Sequence, residues 1–143
     1  TGLQSRPLIS PVASEMWDDG TIWQGAQAGK LLLKACRQCA AICHPPLPMC
    51  PHCQSLYWDS RPSAGRAKLK TWLVSIRPDR SDETQRIVIV AELQEGVRFV
   101  SNLIGASLAD LREDMPLELC FEKQGDIDLP LFRPRAAAPD DAA

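Results

Sequence analysis

Five of the six cysteines and both histidines fall within 18 residues, in the run CRQCAAICHPPLPMCPHC from Cys36 to Cys53. Two C-x-x-C pairs organise it: Cys36 with Cys39, and Cys50 with Cys53, with ten residues between the pairs. Such a pair closes into a tight knuckle that aims both thiolates at one point. Two knuckles supply four sulfurs in a tetrahedron, about 2.3 Å from a Zn²⁺ ion. The spacing predicts Cys36, Cys39, Cys50 and Cys53 as ligands of a structural metal, zinc being expected and iron equally suited to four thiolates. Cys43, His44 and His52 are near enough in sequence to substitute, but they do not complete the second knuckle as Cys50 and Cys53 do. Cys43 then reads as a spare thiol, and the histidines as solvent-facing loop residues.

Other thiol chemistries fit less well. A thioredoxin-like C-x-x-C needs a βαβ setting, which the pattern lacks. A disulfide framework needs an oxidising compartment. A site closed by four thiolates has no open position for water or substrate, so it stabilises rather than catalyses. Elsewhere no G-x-S-x-G elbow, G-x-G-x-x-G or P-loop occurs. Asp18-Asp19 and Asp82-Glu83 are adjacent carboxylates in a turn and a polar loop, and read as solubility. The chain is therefore expected to be a module without catalysis of its own.

The elements that must position the cluster follow from the patterning. Residues 1–13, with two prolines, read as an extended arm. Residues 14–29 are weakly helical, broken or restarted at Asp18–Gly20, with Thr21 as a cap and Gly29 as the residue that ends the helix. KLLLKA (30–35) and SLYWDS (55–60) are strand-like and flank the knuckles as in a zinc ribbon. Five strands follow. The first, GRAKLKTWLVSIRP (65–78), changes phase between Leu69 and Trp72, which predicts a bulge or bend; Trp72 is expected in the core. RIVIVAEL (86–93) reads as a strand buried on both faces and pairs through a Glu95-Gly96 turn with VRFVSNLI (97–104). A helical turn starting at Ser107 precedes PLELCFE, which alternates Leu117, Leu119 and Phe121 inward against Glu118, Cys120 and Glu122 outward. DLPLFRP (128–134) is the last strand, and the tail is low in complexity. A long bent strand first and a helical turn after the third is the order of an OB-fold barrel; a small β-sandwich is the alternative. The expected division is an arm and helical segment (1–29), a zinc ribbon (30–62), an OB-fold (63–134) and a disordered tail (135–143).

The net charge of −2 and isoelectric point near 5.6 disfavour a nucleic-acid partner, which needs a surplus of Lys and Arg. No apolar run approaches the 18 residues of a membrane span. The first residues, TGLQSRPLIS, lack the pattern of an export signal, so the cytoplasm is the expected compartment. Of the four tryptophans, Trp17 and Trp23 in the N-terminal segment suit docking on another protein.

Taken in order, WQGAQAGKLLLKACRQC, PPLPMCPHCQSLYW, GRAKLKTWLVSIRP, VAELQEGVRFVSNLIG, MPLELCFE and PLFRP resemble the zinc-ribbon/OB-fold family catalogued as domain of unknown function 35, over roughly residues 22–134. The resemblance implies a mainly β fold: an N-terminal helical segment, a rubredoxin-like zinc ribbon and a C-terminal five-stranded OB-fold. It carries the four ligands onto Cys36, Cys39, Cys50 and Cys53. It further implies a non-catalytic accessory or scaffold subunit of a thiolase-like enzyme: a thiolase, a thiolase-type aldolase or a hydratase assembly, in acyl-CoA, steroid or lipid metabolism. Acyl-CoA itself is then a candidate ligand. The alternative is an OB-fold that binds single-stranded nucleic acid. The chain departs from the family where glycine often follows each C-x-x-C pair; Ala40 and Gln54 stand there instead. A non-glycine residue at positive φ costs on the order of 1 kcal/mol, so less regular knuckles or weaker metal binding are expected.

Overall fold

A computed structural model describes residues 20–76 and 86–136. The expected N-terminal arm, Trp17, the two acidic pairs and the low-complexity tail from residue 137 lie outside the described residues. The order of elements is helix α1 (Gly20–Gln27), then strands β1 (Leu32–Cys36), β2 (Ile42–Cys43), β3 (Trp58–Pro62), β4 (Arg66–Ser75), β5 (Arg86–Leu93) and β6 (Arg98–Leu103). A 3₁₀ turn (Leu108–Asp110), β7 (Pro116–Gln124) and β8 (Ile127–Pro134) complete it.

Helix α1 begins at Gly20, so Thr21 lies inside it rather than capping it. Gly29 ends it with φ +72, as the sequence suggests, and its N–H donates to the Ala26 carbonyl at 2.9 Å. Gly25 lets α1 lie directly on β1: a Cβ there would come within 2.7 Å of the Leu32 side chain and of the Lys30 carbonyl oxygen.

The ribbon is a three-stranded antiparallel sheet in the order β2-β1-β3. It is too small to bury a core of its own. Its inward leucines, Leu31 and Leu33, instead join Ile22 of the helix and the barrel's Leu69, Ile89, Leu117 and Phe132 in one continuous apolar cluster. The linker is tied down as well. The Glu95 carboxylate, in the β5–β6 turn, accepts from the Ser63 hydroxyl at 3.1 Å and the Ala64 N–H at 2.6 Å.

Strands β4 to β8 close a barrel in the order β4-β5-β6-β8-β7, the five-stranded OB arrangement rather than a sandwich. The phase change in β4 is a bulge: pairing with β5 moves from Leu69↔Ala91 to Thr71↔Val90, leaving Lys70 as the extra residue. Beyond it the strand departs from expectation. Trp72 is 37% exposed and Ile76 is also exposed, because this half of β4 runs past the start of β7 and is covered on one edge only. β5 is not buried on both faces either. Ile89, Ala91 and Leu93 point inward, whereas Val88 and Val90 are half-exposed on the outer face. The helical turn after β6 is a single 3₁₀ turn. There the Asp110 carboxylate accepts from both the N–H and the hydroxyl of Ser107, at 3.2 and 2.7 Å. The barrel's seam is β6 against β8, a parallel contact with the single register pair Leu103↔Phe132.

Candidate metal centre

Each C-x-x-C pair folds into the same local shape. In the first knuckle, the Cys36 carbonyl accepts from the Ala40 N–H at 2.9 Å, and the Cys36 N–H donates to Ala41 at 2.9 Å. In the second, the Cys50 carbonyl accepts from Gln54 at 2.9 Å, and the Cys50 N–H donates to Ser55 at 2.8 Å. Each turn closes on a residue with left-handed backbone, Ala40 at φ 62 and Gln54 at φ 60. The two departures from glycine thus occupy the positive-φ positions, and the knuckles are regular in spite of them. β1 presents Cys36 at its end, and β2 follows the first turn; this two-residue strand has no periodicity that a sequence reading can detect.

The knuckles bring four sulfurs together. All four Sγ atoms lie within 4.8 Å of one another, with Cys36 to Cys53 at 3.5 Å and Cys39 to Cys50 at 3.6 Å. Four sulfurs at about 2.3 Å from a tetrahedral ion would stand about 3.8 Å apart. The donor set therefore fits a zinc-sized ion and supplies only soft ligands. Cys36 and Cys50 are buried, Cys53 is half-buried, and Cys39 is exposed. The N–H groups of Cys39 and Gln38 favour the Cys36 thiolate and bring its pKa down to about 6, against the effect of burial. Cys53 behaves oppositely. The Ser55 amide favours its thiolate, but burial and the crowding thiols of Cys36, Cys39 and Cys50 push it up to about 12. Four thiols this close cannot all ionise without a cation among them.

The neighbouring candidates stay outside this cluster. Cys43 is buried in β2 and its thiol is pushed up by burial. His52 is exposed. His44 is not the solvent-facing residue expected: it is half-buried and stacks on Phe99 of the barrel, ring centroids 4.6 Å apart at 25°. Burial lowers its pKa. Cys120 sits in β7 of the barrel and is no part of the cluster. Around the knuckles, the Trp58 indole N–H donates to the Pro48 carbonyl at 3.1 Å, and Arg37 pairs with Asp59 at 2.7 Å. The loop between the knuckles is thereby pinned to β3.

Among the described residues, the barrel carries at least two grooves. One, of about 660 Å³, is lined by Arg66, Lys68, Glu92, Asp114 and Arg135; the other, of about 420 Å³, by Arg86, Asn102, Leu103, Glu122 and Lys123. Both are open and charged, and among their lining residues no nucleophile is paired with a base. Among the described residues no helix is long and apolar enough to cross a membrane.

Comparison with known proteins agrees with this architecture. The family model described as the ChsH2 rubredoxin-like zinc ribbon domain matches residues 23–56, and that of the ChsH2 C-terminal OB-fold domain matches residues 60–122. A chain in the solved structure titled Ltp2-ChsH2(DUF35) aldolase is 32% identical with a TM-score of 0.77, covering 90% of this chain and 98% of that one. A probable enoyl-CoA hydratase alpha subunit of Thermomonospora curvata is 34% identical over 135 residues, 92% of this chain but 40% of that protein. The chain thus spans less than half the length of that curated relative. A DUF35-family protein of unknown function from Sulfolobus solfataricus, 11% identical with a TM-score of 0.58 over 81% of this chain and 84% of its own, shares the fold. With the ribbon, the barrel and the full span of a ChsH2 chain matched, this chain belongs to the DUF35 family of ChsH2-type zinc-ribbon/OB-fold proteins.

Proposed function

We propose that this chain is a non-catalytic accessory subunit of a thiolase-like acyl-CoA enzyme, and that Cys36, Cys39, Cys50 and Cys53 hold a structural zinc ion. The observation that carries the first part is the similarity to the ChsH2 chain of an Ltp2-ChsH2 aldolase across 98% of that chain. The relative named as a hydratase alpha subunit points to the same class of assembly. The site chemistry agrees. Four thiolates close the coordination of a tetrahedral ion, leaving no position for substrate. The metal would lock the ribbon, and the ribbon shares its core with the barrel, so that helix, ribbon and barrel offer one fixed surface. A thiolase, a thiolase-type aldolase or a hydratase assembly in lipid or steroid breakdown is the partner this reading favours, within the cytoplasm. Acyl-CoA is then the partner's substrate.

The test is co-expression with thiolase-like and hydratase-like proteins of the same organism. A stable complex that survives gel filtration, with turnover of acyl-CoA only when the partner is present, is the expected result. Turnover by the isolated chain, or failure to bind any such protein, would sink the proposal. Metal analysis of the purified chain should give one zinc per chain, lost when Cys36 or Cys50 is replaced by Ser.

A further inference from the structure

Among the described residues, the distal half of β4 is a bare sheet edge. β7 pairs with β4 only from Arg66 to Lys68, and the last bonds on that side run from the Leu69 N–H to the Met115 carbonyl and from the Asp114 N–H to the Leu69 carbonyl. Past the bulge, Thr71 to Ser75 pair with β5 alone. The direction of the free groups follows from alternation. Gln94 donates to the Arg66 carbonyl, so the even residues of β5 face β4. Their partners Thr71, Leu73 and Ser75 therefore bond inward to β5. The N–H and C=O groups of Trp72 and Val74 point out of the sheet.

Natural edge strands are normally blunted by charge, proline or a bulge. Thr71–Ile76 has no charged residue and no proline, and the bulge lies before it at Lys70. The stretch TWLVS is also chemically symmetric about Leu73: hydroxyl, three apolar residues, hydroxyl. A second copy laid antiparallel about Leu73 puts Thr71 opposite Ser75 and Trp72 opposite Val74. Hydroxyl pairs and aromatic–β-branched pairs are both stabilising across strands. The same alignment makes Trp72 and Val74 a hydrogen-bonded pair in both halves, satisfying all their free backbone groups. It also sets Leu73 against Leu73 on the outer face, where Leu73 is 58% and Val100 64% exposed. With no charge from Thr71 to Ser75, the paired stretches meet without like charges opposed.

We propose that this edge is a self-association surface, through which two copies of the chain join their barrels in a continuous sheet about a two-fold axis at Leu73. Such an isologous contact uses one patch twice, as two-fold dimers do. It is independent of the partner-enzyme reading, since it needs only this chain.

The test uses the full, zinc-loaded chain in sedimentation velocity over a range of concentrations. A concentration-dependent dimer is expected. Leu73→Lys places like charges face to face on the axis and should weaken the dimer roughly tenfold or more. The side chain is exposed, so circular dichroism and zinc content should be unchanged. In a Cys120→Ser background, Leu73→Cys should form a disulfide-linked dimer with oxidised glutathione, because directly opposed Cα atoms of a non-hydrogen-bonded pair lie about 4.5 Å apart. Val100→Cys, on the same face but two strands away, should not. A chain monomeric at every concentration, a Leu73→Lys variant that still dimerises, or crosslinking through Val100→Cys equal to that through Leu73→Cys would each overturn the proposal.

Discussion

Replacing Ala40 and Gln54 together by glycine should tighten metal binding. Both residues hold a left-handed backbone, φ 62 and 60, at the turn that aims a thiolate pair. A side chain in that region costs about 1–2 kcal/mol. Glycine removes that cost but gives the unfolded chain more freedom, offsetting about 0.4–1 kcal/mol. The net gain is about 0.5–1 kcal/mol per knuckle, or about 1–2 kcal/mol for both. A bound metal would hold each knuckle in this backbone while the free ribbon can relax out of it, so the gain would enter the binding equilibrium. A gain of that size is roughly fivefold to thirtyfold in zinc affinity. Chelator competition on the full chain measures it directly. Gly29→Ala is the control: it reverses the same conformational effect at φ +72, with open space around it and no thiolate nearby. It should lower the melting temperature and leave zinc affinity unchanged. If the double glycine variant bound zinc no better than wild type, or worse, the strain argument would be wrong.

Gly25→Ala should destabilise the chain by about 1–3 kcal/mol in thermal or urea unfolding, because the new methyl meets the Lys30 carbonyl oxygen at 2.7 Å and neither helix nor strand can yield freely. Phe132→Ala, at the fully buried seam of the barrel, should cost about 3–5 kcal/mol. Since Leu31 and Leu33 share that core, both the ribbon and the barrel should melt in one transition; two separate transitions would contradict the shared core. His44→Phe tests the junction by pH. Burial lowers the folded pKa of His44 below its ordinary 6.5, so wild type should lose stability as pH falls through about 6.5, where the unfolded chain takes up the proton first. The phenylalanine variant keeps the stack on Phe99 and should lack that part of the loss; an identical pH profile for both would refute it.

The cysteine spacing alone was enough to specify the knuckles and their four sulfurs, because a C-x-x-C turn is a local object whose geometry depends on neighbours in the chain. The same holds for the bulge in β4: a slip in a two-residue period is visible wherever one face is apolar, and it falls between Leu69 and Thr71 as the pattern implies. The positive-φ backbone at Ala40 and Gln54 was expected only from the family resemblance, which often places glycine after each pair. What the tertiary structure alone decided depends on which surfaces meet. A histidine between two cysteines and two prolines reads as loop, and only the packing of β2 against the barrel places His44 on Phe99. Trp72 reads as core because it is large and apolar. It is partly exposed because β7 starts too late along β4 to cover it, and strand register between residues some 45 apart leaves no local signal. Glu95 reads as a turn residue, yet its carboxylate fixes the linker between ribbon and barrel. Local periodicity encodes turns and faces; the bare edge of β4 and the single core shared by ribbon and barrel arise only when distant strands take their places beside one another.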